Sequence, residues 1–151
     1  LEVLPTLIPK YVRTGKLKIE YHSMQTATHE QETFHAQQIA ALAAGKQSLA
    51  WYYIELFYHE QGQEGSGYVT ESYLQSLAQQ VPRLNLPNWS AARNDSAFPE
   101  QLTRDAQTVN QEGFTGTPSF LLGKSGTKLA QFKPETFSEP SPYETAINKL
   151  H

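Results

Sequence analysis

The first segment of the chain places apolar residues at helical spacing. These apolar positions are Leu1, Leu4, Leu7, Ile8, Tyr11 and Val12. The spacing predicts a helix that ends at Gly15. Pro5 and Pro9 lie inside the pattern, and each removes a backbone hydrogen-bond donor. We therefore expect the helix to be kinked or to begin near Pro5.

A period-two pattern follows from Leu17 to His22, where apolar and polar side chains alternate. Such alternation predicts a β-strand with one buried face. Two further strands are predicted over Ser119–Leu122 and Lys128–Phe132, joined by a hairpin turn at Gly123–Gly126. We expect all three strands to share one sheet.

Helical spacing dominates the middle of the chain and predicts a helical block from about residue 29 to residue 113. The predicted helices run from His29 to Ala44 before Gly45, from about Lys46 to Gln61, from a Thr70 cap to Pro82, from Pro87 through Trp89, and from Phe98 to Gly113.

Aromatic residues are concentrated in the second of these helices. The spacing of Trp51, Ile54 and Tyr58 favours packing in the core. The alternative is that the aromatic residues of this helix form a peptide-binding surface.

The C-terminal helix is predicted from a capping sequence. Ser141-Pro142-Tyr143-Glu144 matches a capping box with proline at the first helical position. The apolar residues Ala146, Ile147 and Leu150 would then lie on one face of the helix.

Length and composition indicate one folded domain over residues 1–151. Of the 151 residues, 38% are hydrophobic and 18% are charged, which is typical of a globular protein. The net charge is −3, and this argues against nucleic acid and anionic membranes as partners. No apolar run approaches the ~20 residues of a membrane span. His29, Glu32 and His35 are too few to hold zinc, so we expect neither a metal nor a cofactor.

The segment from Glu112 to Gly123 is the most specific motif. It reads EGFTGTPSFLLG, which is a helix end, a Gly-Thr-Pro turn and a short apolar strand. Three other features accompany it: the pattern VLPxL at residues 3–7, the sequence YVxxGKL at residues 11–17, and the helical block around Trp51, Leu56 and Phe57. With these features, nearly the whole chain resembles the DsbA-like thiol-disulfide oxidoreductases. Members of this family occur in bacteria. The resemblance implies an α/β, thioredoxin-like fold with a helical insertion.

The chain departs from the family pattern because it has no cysteine. In the family, a first strand and a Cys-x-x-Cys motif lie just upstream of a segment like residues 1–12. The resemblance therefore implies a fragment that lacks this strand and the active-site motif. An inactive natural paralogue is the alternative. If the strand is missing, the edge vacated between Leu17–His22 and Ser119–Leu122 should recruit another strand, most simply in a strand-exchanged dimer.

The resemblance also implies a role for the Gly-Thr-Pro turn. Gly116, Thr117 and Pro118 would bind substrate: Pro118 would follow a cis peptide bond, and the Thr117 backbone would pair with an extended polypeptide. The parent protein would be an extracytoplasmic disulfide oxidoreductase or isomerase, in the periplasm, in the cell envelope or secreted, with a redox partner protein. No residue of this chain is assigned a catalytic role, which leaves open whether the chain is itself an enzyme. The alternative function is a cysteine-free peptide-binding module.

Overall fold

The computed structural model describes residues 2–150, which form two compact units. One unit combines the residues up to His22 with those from Phe114 onward, and the other is Ser23–Gly113. The predicted helical insertion at residues 29–113 falls inside the second unit. A single domain over residues 1–151 stays a prediction.

The N-terminal helix changes its hydrogen-bonding pattern at its second proline. Helix α1 spans Leu4–Leu7 and continues as a π-helical turn over Ile8–Val12. Pro9 has no N–H to donate. The N–H of Arg13 donates to the carbonyl of Ile8, five residues earlier, at 2.9 Å, which is the π-helical pattern. The expected start near Pro5 is confirmed, because α1 begins at Leu4 with Pro5 in its first turn, and the helix changes type at Ile8.

A two-stranded antiparallel hairpin lies in the same unit. Strand β1 is Phe120–Leu122 and strand β2 is Ala130–Phe132, with Phe120 opposite Phe132. The turn between them is closed by the Thr127 N–H, which donates to the Lys124 carbonyl at 3.1 Å. The predicted hairpin is present, although each strand is shorter than its hydrophobic pattern.

The strand predicted from Leu17 to His22 is wrong. This segment has no regular secondary structure, although Leu17, Ile19 and Tyr21 are partly buried while the residues between them are exposed. Alternation of side chains sets which face is buried, but a strand also needs a neighbour for its backbone groups. Within residues 2–150 the sheet has two strands, β1 and β2, and this segment is not one of them.

The core of this unit forms between the N-terminal helix and helix α7, which spans Ser141–Asn148. Its buried residues are Val3, Leu7, Tyr11, Tyr143 and Ile147, and Leu17, Phe120 and Phe132 pack against them. The prediction that Ser141 caps α7 is wrong, because the helix has no side-chain cap. Glu144 instead accepts a hydrogen bond from Lys10 Nζ at 2.7 Å.

The regular secondary structure of the second unit, Ser23–Gly113, consists of helices. Its helices are α2 (Gln31–Gly45), α3 (Ala50–His59), α4 (Glu71–Gln80), α5 (Leu86–Ala92) and α6 (Ala97–Glu112). Thr70 caps α4 as predicted, since its hydroxyl oxygen accepts a hydrogen bond from the Tyr73 N–H at 3.2 Å. Helix α6 ends at Gly113, which has φ +65° and the left-handed conformation typical of a helix C-terminus.

Tyr53 is central to the packing of the helical unit. Its side chain is fully buried, and its hydroxyl donates to the Leu74 carbonyl at 2.9 Å. Its ring stacks on Trp89, whose indole N–H donates to the Ala40 carbonyl at 2.9 Å. Helices α2, α3, α4 and α5 are thereby joined through buried hydrogen bonds and ring contacts.

The predicted burial of the α3 aromatic residues is partly wrong. Ile54 is buried, but Trp51 is 42% exposed and Tyr58 is 50% exposed. The helix is also shorter than predicted, because a turn with Ser48 at φ +61° precedes it. Aromatic residues lie on several faces of α3, so their spacing does not by itself select the buried face.

Candidate functional site

The Gly-Thr-Pro turn is an exposed loop between helix α6 and strand β1. Thr117, Pro118 and Ser119 are exposed, and Gly116 is partly buried. The Thr117–Pro118 peptide bond is cis. The three residues predicted to bind substrate therefore lie together at the entrance to β1, with Thr117 and Pro118 open to solvent.

A side-chain hydrogen bond closes the loop on itself. The hydroxyl of Ser119 donates to the Gly116 carbonyl at 2.6 Å, so the ends of the turn are held together across Thr117 and Pro118. Such serine turns fix a local backbone shape without help from neighbouring elements. The sequence analysis did not assign this role to Ser119.

The backbone of Thr117 is available for pairing. Among residues 2–150, neither its N–H nor its carbonyl takes part in a hydrogen bond. A backbone amide and carbonyl exposed beside a strand can hydrogen-bond to an extended peptide regardless of that peptide's side chains. The loop therefore presents a donor and an acceptor with little sequence selectivity.

The loop is electrically neutral. No charged side chain occurs from Phe114 to Gly123, and the first is Lys124 in the hairpin turn. Recognition at this loop would consequently depend on backbone hydrogen bonds and apolar contact rather than on ion pairs. This chemistry suits unfolded polypeptides of varied sequence.

Aromatic packing anchors the far end of the loop. The Phe120 ring lies 5.6 Å from Tyr143, 6.2 Å from Phe132 and 6.2 Å from Phe137, measured between ring centroids. Burial raises the pKa of the Tyr143 phenol, so this ring stays neutral over the physiological range. The sequence analysis missed this anchor because its members are distant in sequence.

Two glycines of the motif have room for a larger residue. A Cβ at Gly113 or at Gly116 would have no heavy atom within 4 Å. Gly113 is needed for its positive φ, whereas Gly116 has open space. The contribution of Gly116 to the loop is its carbonyl, which accepts the hydrogen bond from the Ser119 hydroxyl.

The candidate metal-ligating residues of the sequence are not brought together into a site in the described part of the chain. In the part of the chain that the structure describes, no group of three or more His, Asp or Glu residues is arranged to hold a metal ion. This includes His29, Glu32 and His35. Likewise, none of the helices within residues 2–150 has the length and apolar character needed to cross a membrane.

Comparison with known proteins places the fold. The crystal structure of oxidised BdbD from Bacillus subtilis matches with a TM-score of 0.73 and 14% sequence identity, over 99% of this chain and 76% of that chain. No curated protein sequence matches. A family model described as "Thioredoxin" matches residues 1–139. The thioredoxin-like α/β fold with a helical insertion is thus confirmed, and the chain belongs to the thioredoxin family.

Proposed function

We propose that the chain is the polypeptide-binding body of a DsbA-like thiol-disulfide oxidoreductase that acts on protein dithiols and disulfides. The observation that carries the proposal is the exposed Thr117 backbone, whose N–H and carbonyl are unpaired within the described residues and lie next to the edge of β1. An extended substrate would hydrogen-bond there and continue along Gly116 and Pro118.

The residues of this chain would bind and orient the substrate polypeptide, and they would not carry out thiol-disulfide exchange. The sequence holds no cysteine, and disulfide exchange requires a thiolate that attacks a substrate sulfur to form a mixed disulfide. In the proposed activity the cysteine pair is supplied by polypeptide outside these 151 residues. The loop would hold the substrate backbone while that sulfur reacts.

Three further proposals follow from this function. An oxidoreductase of this type works in an oxidising compartment, so we place the protein outside the cytoplasm, in the periplasm, the cell envelope or the secreted fraction. Turnover requires a redox partner protein. The two-stranded sheet of β1 and β2 is also compatible with strand exchange between two copies.

The binding step can be tested by titrating the isotope-labelled chain with permanently unfolded, carboxymethylated α-lactalbumin. We expect the Thr117 amide to shift and to gain protection from hydrogen exchange. Pro118→Ala should weaken binding several-fold, because proline restricts φ and preorganises the loop. Thr117→Ala should bind almost normally, since recognition is by the backbone.

Pro134→Ala is the matched control, because Pro134 lies in the same unit after β2 and outside the loop. Equal binding by Pro118→Ala and Pro134→Ala, or an unchanged Thr117 amide at saturation, would overturn the proposed site.

A cysteine-free peptide-binding module is the second candidate, and the absence of cysteine from the sequence favours it. The two candidates share the loop and differ in the source of the thiol. The coding sequence upstream of Leu1 separates them. A strand followed by Cys-x-x-Cys would support the oxidoreductase, and a continuous reading frame without that motif would support the binding module.

A further inference from the structure

Helix α3 carries an unusual concentration of exposed aromatic surface. Of the six large hydrophobic residues that are exposed within residues 2–150, three lie on this helix: Trp51 at 42%, Tyr52 at 52% and Tyr58 at 50%. Grouped exposed aromatic side chains commonly mark an interaction surface.

A single carboxylate lies at the centre of this surface. Glu55 is exposed, and its four neighbours on the helix surface, three and four residues away in each direction, are Trp51, Tyr52, Tyr58 and His59. All four carry aromatic rings. Within residues 2–150, Glu55 takes part in no ion pair or hydrogen bond.

A groove continues the surface towards the end of helix α4. It encloses about 280 Å³ and is lined by Tyr52, Glu55, Leu56, His59, Gln80 and Pro82. Tyr52, Leu56 and Pro82 supply apolar walls, and Glu55 supplies a negative charge at one side. Gln80 is held in place because its amide donates to the Glu60 carboxylate at 3.1 Å.

A carboxylate ringed by aromatic faces is suited to a cationic side chain. The carboxylate supplies charge-assisted hydrogen bonds, and the rings add cation–π attraction, for which arginine is the more frequent partner. Helix α3 contains no lysine or arginine of its own. A second copy of the chain is a poor occupant of this face, because a symmetric contact would bring two Glu55 carboxylates together with no lysine or arginine of α3 between them.

We propose that this face of α3 docks a polypeptide segment that carries an arginine next to an aliphatic residue. The guanidinium lies over Glu55 between the aromatic rings, and the aliphatic side chain enters the groove between Tyr52, Leu56 and Pro82. The surface is separate in sequence from the Gly116–Pro118 loop, and this inference does not depend on the function proposed for that loop.

The test is a titration of the isotope-labelled chain with the peptide acetyl-GSLRSG-amide, followed by amide chemical shifts. We expect saturable shifts at Tyr52, Glu55 and His59 at millimolar peptide. Fluorescence gives a second readout: of the two tryptophans, Trp89 is 2% exposed and Trp51 is on the proposed surface. The peptide should therefore protect Trp51 from acrylamide quenching.

Substitutions on both sides of the contact test its chemistry. Replacing the arginine of the peptide by glutamine, or Glu55→Gln in the protein, should each weaken binding about threefold to fivefold, and the two changes together should add little to either. Glu100→Gln is the matched control, because Glu100 is also an exposed helical glutamate of this unit and should bind normally.

Several outcomes would overturn the proposal. These are equal binding by the arginine and glutamine peptides, equal loss in Glu55→Gln and Glu100→Gln, or α3 shifts that appear on concentrating the protein alone, which would indicate self-association. Binding to phosphatidylcholine vesicles with no response to the peptide would also overturn it. Pro118→Ala should leave the α3 shifts unchanged, so failure here and failure at the loop are distinguishable.

Discussion

Tyr53 and Tyr11 are both buried, but their hydroxyl groups differ in their hydrogen-bond partners. Tyr53 donates to the Leu74 carbonyl at 2.9 Å. The Tyr11 hydroxyl is buried and has no hydrogen-bond partner among the described residues. Burial raises the pKa of Tyr53 well above its ordinary value, so it remains a neutral donor throughout the physiological range.

These contacts predict opposite results for the same chemical change. Tyr53→Phe should lower the free energy of unfolding by about 1 kcal/mol, because it deletes a buried hydrogen bond. Tyr11→Phe should leave stability unchanged or raise it, because it removes an unsatisfied hydroxyl. Urea unfolding measures both, with exposed Tyr52→Phe as control. A larger loss for Tyr11→Phe than for Tyr53→Phe would contradict this assignment.

Glu71 and Arg93 form the best-defined ion pair of the helical unit. The guanidinium contacts both carboxylate oxygens, at 2.5 and 2.6 Å, and lies 4.8 Å from the centre of the Trp89 ring. Hydrogen bonding to Arg93 lowers the pKa of Glu71 below its ordinary value of 4.5. The ionised form is therefore favoured by the folded state.

This shift predicts a pH-dependent stability. Because the folded pKa of Glu71 is depressed, its contribution is complete above about pH 4.5 and is lost as the pH falls through the folded pKa. Glu71→Gln should cost about 0.5 kcal/mol at pH 7, a small value because the carboxylate is 54% exposed. The cost should disappear in acid. Glu32→Gln is the control, since Glu32 also lies in the first turn of a helix; a pH-independent cost for Glu71→Gln would contradict the prediction.

At the scale of elements, the junction between α6 and the loop depends on one glycine. Gly113 has φ +65°, a conformation that costs other residues about 1–2 kcal/mol. Gly113→Ala should therefore destabilise the protein by about 1 kcal/mol in urea unfolding. Gly116→Ala is the control and should cost little, because a Cβ there meets no heavy atom within 4 Å. Equal losses would show that the two glycines serve the same purpose.

Sequence patterns confined to a few neighbouring residues correctly predicted where some helices begin and end. Thr70 fixes the start of α4, and Gly113 fixes the end of α6, through hydrogen bonds and dihedral angles within one turn. The strand at Leu17–His22 failed because its partner cannot be read from its own pattern. The capping box failed because helix α7 has no side-chain cap. Its glutamate, Glu144, accepts a hydrogen bond from Lys10, 134 residues away in sequence.

The candidate site shows the same difference between features set by consecutive residues and features set by residues that are distant in sequence. The Gly116–Pro118 loop was readable as a motif because its residues are consecutive. Its anchor was not, since Phe120, Phe132, Phe137 and Tyr143 meet only after the hairpin and α7 are in place. The aromatic neighbours of Glu55 were visible at helical spacing, but that spacing could not show that they face solvent.

At the scale of the whole molecule, the sheet is small. In the described part of the chain it has two strands, β1 and β2, which pair with each other. The edges of such a small sheet can accept further strands. The sequence-based expectation placed the open edge beside Leu17–His22. Since that segment is not a strand, the edges of the hairpin take its place.

We therefore predict a strand-exchanged dimer that forms with increasing protein concentration, measurable by sedimentation velocity. Ala130 is exposed in β2 and carries no charge, so Ala130→Lys should weaken the dimer by placing a charge on the edge, as natural edge strands do. Thr127→Lys, in the neighbouring turn, adds the same charge away from the strand and should dimerise normally. A monomer at every concentration, together with a folded spectrum, would exclude strand exchange and leave the hairpin edges open to a substrate polypeptide.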